Sequence, residues 1–203
     1  MFPLYDETHQ YRHKTPIVTS GLIFLNILIF LFTLFNLETV VEVFGMVPQD
    51  ILAGKNLQTI FTSMFLHSGF AHLIGNMWFL WIFGDNLEST LGKARFLFFY
   101  LLCGVLAAVG YCFVTEEKNI PVIGASGAIA GILGGYFVIF PRNQIRTLIP
   151  IGFFFTTIRV PAIIFLFIWI FSQFFLTDPN VATGAHIIGF FAGMTLVKLF
   201  QKR

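Results

Sequence analysis

Apolar residues fall into six runs separated by polar or mixed segments: 17–35, 67–91, 96–114, 126–140, 162–176 and 184–200. About 20 apolar residues cross a hydrocarbon layer of roughly 30 Å. The pattern therefore predicts an all-α, polytopic membrane protein with a bundle of six transmembrane helices. Residues 36–66 break the pattern, with Gly45, Pro48 and Gly54 and acids at Glu38, Glu42 and Asp50. The amphipathic pieces 40–46 and 51–57 make this stretch too apolar for a freely solvated loop. Two readings stay open: a structured loop lying in the membrane interface, or an ordinary ordered connector. Residues 141–161 carry Arg142, Arg146, Arg159, Pro150 and Pro161 around an apolar centre, which predicts an interfacial connector. The domain division that follows is a polar N-terminal segment (1–15), one membrane domain (16–200) and a short tail (201–203). The first run is too long and bulky for a signal peptide.

Composition sharpens this reading. The chain is 57% hydrophobic and 11% charged, against about 25% charged in a soluble domain. That excludes a water-soluble enzyme with a single anchor. The 28 phenylalanines are expected at lipid-facing and interhelical positions. A net charge of +2 says little, and nothing points to nucleic acid as a partner. The distribution of charge is more telling. With six spans both termini share a side, together with Arg12, Lys14, Lys93, Arg95, Arg142, Arg146, Arg159, Lys198, Lys202 and Arg203. Only Lys55 and Lys118 lie opposite. The positive-inside rule puts both termini in the cytoplasm. Cys103 and Cys112, on opposite faces of one run and ~13 Å apart along it, are expected to stay unpaired.

The polar residues inside the runs converge. With this topology the second, fourth and sixth runs all descend from the outer side. His72, Ser126 and His186 then share one depth, on the order of 5–10 Å below the outer surface at 1.5 Å per residue. Ionisable groups within a membrane are costly and mark functional sites by default. The fourth run is short, ~22 Å from residue 126 to 140, so its start is submerged and a water-filled cavity is expected there. Small residues recur every fourth position: Ser126, Ala130 and Gly134; Gly127, Gly131 and Gly135; Ala185, Gly189 and Gly193. Such spacing lets backbones pack closely in lipid. Gly189 and Gly193 share a face with His186, and packing that face on the fourth run would bring His186 to Ser126. A serine and a histidine so arranged suggest a nucleophile and its base. His72 and Asn76 share a helical face, and both can donate to a developing oxyanion alongside the Ser126 N–H. Asn76 could equally bond a neighbouring helix. No acid is placed to orient His186, so a Ser–His dyad is expected. No metal or other cofactor is implied.

Three stretches together resemble the rhomboid family of intramembrane serine proteases: His72-Leu73-Ile74-Gly75-Asn76, Gly124-Ala125-Ser126-Gly127, and His186 through Gly193. Glu88, near the end of the second run, fits the same pattern. The resemblance covers nearly the whole chain. It implies a bacterial-type, six-helix intramembrane endopeptidase in the cell (inner) membrane, acting on transmembrane-protein substrates in lipid. By it Ser126 is the nucleophile, His186 the general base, and His72, Asn76 and the Ser126 N–H the oxyanion hole. Glu88 is structural, the loop 36–66 is the membrane-embedded first loop, and the fifth helix with residues 177–183 gates substrate entry. Two departures stand out. Gln58-Thr59 occupies the place of a Trp-Arg pair common in the first loop, and Ala130 that of a tyrosine that in some members stacks on the histidine. Competing readings are a catalytically inactive relative that binds transmembrane segments, and a small transporter. The transporter would need polar groups through the full depth and an internal repeat, which the sequence lacks.

Overall fold

The structure is a computed structural model and describes residues 1–7, 15–152, 154–176, 178 and 181–201. It is mostly helical. Helix α1 (Ile17–Thr33) is followed by α2 (Leu37–Phe44), α3 (Pro48–Leu52), α4 (Thr59–Thr62) and a 3-10 turn, Ser63–Phe65. Then come α5 (Phe70–Leu91), α6 (Lys93–Val114), α7 (Ser126–Ile139), α8 (Ala162–Gln173) and α9 (Thr183–Phe200). By length and composition α6 and α9 can cross a membrane, and α1 with α2 would count as a third span although the pair bends by 119°. Helices α7 and α8 are apolar but shorter. Many large side chains on the outside are apolar, Phe24, Phe32, Phe98, Phe167 and Leu199 among them, as expected where the solvent is lipid.

The expectation of an all-α chain is corrected by a three-stranded antiparallel sheet, ordered β1-β2-β3. Strands β2 (Gln144–Ile151) and β3 (Phe154–Pro161) form a hairpin where the sequence predicted a connector, and Phe2–Asp6 of the N-terminal segment adds as β1. The reason is visible in the residues. Ile145, Thr147, Ile149, Thr157, Ile158 and Val160 are β-branched and suit a pleated surface. Gly152 supplies the left-handed turn, with φ +59°. The sheet is tied to the bundle by polar contacts. Trp78 Nε1 donates to the Pro3 carbonyl at 2.7 Å, Asn86 Nδ2 donates to the Asp6 carboxylate at 2.6 Å, and Tyr136 Oη donates to the same carboxylate. Glu7 pairs with Arg159 at 2.7 Å and with Arg146 at 3.5 Å. Of the charges used to orient the chain, Arg12, Lys14, Lys202 and Arg203 lie outside the described residues.

Residues 36–66 are ordered and largely helical, and they brace the segment before α7. Met46 and Val122 exchange backbone hydrogen bonds at 3.1 and 2.8 Å, and the Gly124 N–H donates to the Ser63 carbonyl at 2.9 Å. At the Gln58-Thr59 departure, Gln58 immediately precedes α4 without a side-chain capping bond, while Thr59 is buried and its hydroxyl donates to the Asn56 carbonyl at 2.7 Å. Glu88 joins α5 to α1. Its carboxylate accepts from the Val18 N–H at 3.0 Å, the Thr19 N–H at 2.8 Å and the Thr19 hydroxyl at 2.8 Å. It thereby satisfies first-turn donors of α1 that have no partner within their own helix. Cys103 and Cys112 are free thiols.

Candidate active site

Ser126 is the first residue of α7, with Ala125 as an N-cap that contributes no side-chain bond. The segment before it is irregular and includes Gly124 at φ +123°, a conformation open in practice only to glycine. A second reason demands glycine there. A methyl at Gly124 would stand 2.7 Å from His72 Nε2 and 3.8 Å from Ser126 Oγ. The His72 ring and the Ser126 hydroxyl therefore flank one point.

His72 lies in the first turn of α5 and is held from behind. The Ser68 N–H donates to His72 Nδ1 at 3.3 Å, and the Ser68 hydroxyl lies 3.0 Å from the same nitrogen. A backbone N–H can only donate, so Nδ1 accepts, and the neutral ring carries its proton on Nε2. His72 thus offers a donor toward Ser126. His67 stacks edge-on against it, at 5.0 Å between centroids. Asn76 is buried and its Nδ2 donates to the His72 carbonyl one turn back, at 2.8 Å. It bonds its own helix and makes no hydrogen bond to Ser126.

The turn of α9 bearing His186 is set against α7 by glycine. A Cβ at Gly189 would strike the Gly127 carbonyl, one at Gly193 the Gly131 carbonyl, and one at Gly134 the Phe190 carbonyl. Gly131 also makes room for Cys103 of α6: a Cβ there would strike Cys103 Cβ and stand 3.3 Å from the Gly189 carbonyl. No hydrogen bond joins Ser126 to His186 in this structure. Catalytic bonds are commonly long before substrate binds. A cavity of about 30 Å³ opens beside Ser126, between Met64, Gly104, Ala107, Gly124 and Ala185. A water needs about 10–15 Å³ of such space, so the cavity has room for water next to the hydroxyl. Its lining includes neither His72 nor His186.

The support of His186 comes from a residue that sequence reasoning missed. Gln173, the last residue of α8, is buried, and its Oε1 lies 2.8 Å from His186 Nδ1. Trp169, one turn earlier on α8, lies against the same imidazole at 6.0 Å and 34°. Ala130, where some rhomboid-like sequences carry a tyrosine, is wholly buried within α7. A signal for Gln173 was available: it is an amide inside an otherwise apolar run, and polar groups there mark function. Of the 177–183 segment, residues 177, 179 and 180 lie outside the described residues. Among the described residues, no group of three His, Cys, Asp or Glu could hold a metal ion.

Residues 54–203 match the Rhomboid domain. The chain is 38% identical over 105 residues to YdcA of Bacillus subtilis (strain 168), covering 48% of this chain and 52% of YdcA. It is 34% identical over 158 residues to the rhomboid protease GluP of the same organism, covering 78% of this chain and 29% of GluP. With the mitochondrial presenilin-associated rhomboid-like protein A of Danio rerio it shares 35% over 92 residues, 44% of this chain and 24% of that protein. The matched stretch thus spans about half of YdcA and under a third of the other two. With a domain match over most of its length, and with helices long and apolar enough to cross a membrane, the chain belongs to the rhomboid family of integral membrane proteins.

Proposed function

We propose that this protein is a serine endopeptidase that cleaves transmembrane helices of membrane-protein substrates near the outer face of a bacterial cell membrane. In this reading α1, α5, α6, α7, α8 and α9 are the six spans and both termini are cytoplasmic. Helices α7 and α8, of 14 and 12 residues, are ~21 and ~18 Å long at 1.5 Å per residue. Both are shorter than the hydrocarbon layer, which leaves their ends submerged and open to a water-filled recess.

Ser126 Oγ attacks the substrate carbonyl carbon while its proton passes to His186 Nε2. The carbonyl electrons move to oxygen, which accepts from the Ser126 N–H and from His72 Nε2–H. Asn76 joins as a donor once its amide leaves the His72 carbonyl. The intermediate collapses with loss of the amine, which takes the proton from His186, and a water then repeats the sequence on the acyl-serine. The observation that carries this reading is the glycine seam: it packs the end of α9 that bears His186 against the helix that begins at Ser126, while the His72 ring and the Ser126 hydroxyl both lie close to Gly124.

The missing Ser126–His186 hydrogen bond favours one alternative, an inactive relative that binds transmembrane segments. Purified protein in detergent separates the two. Wild type is expected to cleave a single-span substrate and to take up a fluorophosphonate. Ser126→Ala is expected to do neither at an unchanged melting temperature, because losing one hydroxyl beside a cavity leaves little void. Segment binding without labelling of the wild type would support the inactive relative. Cleavage by Ser126→Ala would remove Ser126 from the nucleophile role.

A further inference from the structure

The hydrogen-bond network on α8 determines which nitrogen of His186 is the base. Gln173 Nε2 points to the Trp169 carbonyl at 3.3 Å and to the Ser172 hydroxyl at 3.2 Å. The Trp169 carbonyl can only accept. The Ser172 hydroxyl spends its single proton on that same carbonyl, at 2.6 Å, so toward Gln173 it too can only accept. Both contacts demand the amide nitrogen on that side. Oε1 is left facing His186 Nδ1 at 2.8 Å. A carbonyl oxygen cannot donate, so Nδ1 holds the proton and Nε2 holds the lone pair. The chain of polarity runs Trp169 carbonyl, Gln173 amide, His186 ring, and each link fixes the next.

We propose that Gln173 is a positioning residue that sets the tautomer and orientation of His186, with Trp169 packing the imidazole in the place of the stacking tyrosine that position 130 lacks. Gln173 touches no reacting atom. It acts as the third member of the relay, in the role that an acid fills in a Ser–His–Asp triad. A neutral acceptor orients the ring without stabilising the imidazolium as a carboxylate would. The base is therefore oriented without a buried negative charge, which is costly in this setting. The proposal rests on the protease reading for its consequence, although the tautomer itself does not depend on it.

The test uses ¹⁵N-histidine NMR on the full chain in micelles, with His186 assigned by its own substitution, beside steady-state cleavage. The wild-type ring is expected to be protonated on Nδ1. In Gln173→Leu, similar in size but without an acceptor, the two tautomers should mix. Its kcat should fall about 10²-fold, the lower end of what a general base contributes, with KM unchanged. Gln173→Glu restores an acceptor and should recover most of the rate at alkaline pH. A carboxylate beside the ring favours the imidazolium, so the base must be freed of its proton at higher pH. The acidic limb of the kcat profile then moves up in pH. Among the described residues, His72 is the titratable group that acts on His186 from a neighbouring element, and the His72→Ala background shows that the shift belongs to His186. If Gln173→Leu does not fold, Gln173→Glu and the wild-type spectrum decide. A wild-type ring protonated on Nε2, an unaltered tautomer and kcat in Gln173→Leu, or an unmoved limb in Gln173→Glu each overturns the proposal. A wild type that neither cleaves nor labels overturns the protease reading instead, and the spectrum still decides the role of Gln173.

Discussion

Helix α9 meets α7 and α8 in opposite ways. Against α7 the contact is backbone on backbone: Gly189 and Gly193 lie on the carbonyls of Gly127 and Gly131, and nothing larger fits. Against α8 the contact is made by side chains, Gln173 and Trp169 on His186 and Trp169 on Phe190. The first contact sets where the helix lies and leaves no freedom to adjust. The second sets which way one ring points, through a single hydrogen bond and one aromatic face. His72 and Asn76 on α5 belong to the side-chain class as well, held by Ser68 and by a helix carbonyl. Position is thus built from backbone sterics, and ring orientation from side-chain bonds that can be exchanged.

The contrast breaks most sharply at Gly193. Gly193→Val puts a branched side chain onto the Gly131 carbonyl, where neither helix can yield. Overpacking in such a site costs about 3 kcal/mol. The expected result is a steep fall in melting temperature or in folded yield, with any folded fraction still reactive toward a fluorophosphonate. A stable Gly193→Val would show that the seam has slack. Asn76→Ala tests the side-chain class, and the signs reverse. Its amide bonds only a carbonyl of its own helix, so the melting temperature should hardly move. If Asn76 swings to the oxyanion, kcat should fall roughly 10- to 100-fold with KM little changed, below the 10²–10³ typical of one donor because His72 and the Ser126 N–H share the load. An unchanged single-turnover rate would remove Asn76 from the oxyanion hole. The smallest effect sharpens the argument from the other end. Gly21 of α1 has nothing within 4 Å of an added Cβ. Gly21→Ala should raise stability by up to about 1 kcal/mol through helix propensity and leave cleavage alone. A loss at Gly21 matching that at Gly193 would mean that glycine matters here for flexibility and not for close approach.

Parts of this picture were legible in the chain and parts were not. The helices follow from local runs, and the observed bounds differ from the runs by a few residues: α8 ends at Gln173 instead of 176, and α6 begins at Lys93 instead of 96. The short α7 starting at Ser126 was readable from the length of the apolar run 126–140. The hairpin was missed because arginines and prolines around an apolar centre read as a surface connector, while its alternating β-branched residues carried the opposite signal. Strand β1 had no usable signal at all. Five residues gain strand character only from a partner some 140 positions away, Phe2 opposite Leu148.

The sequence by itself determined what depends on neighbours along the chain: which stretches are apolar helices, which helix faces are stripped to glycine, and which few polar groups lie inside. Those are short-range properties, carried by a period of 3.6 residues and by side-chain volume. Tertiary structure alone decided what depends on choosing one partner among many. It gave Glu88 to the first turn of α1, Asp6 to Tyr136 and Asn86, Ser68 to His72, and Gln173 to His186. A hydrogen bond is made at about 3 Å and in one direction. Its specificity lies in a distance that no local pattern encodes until the helices have packed.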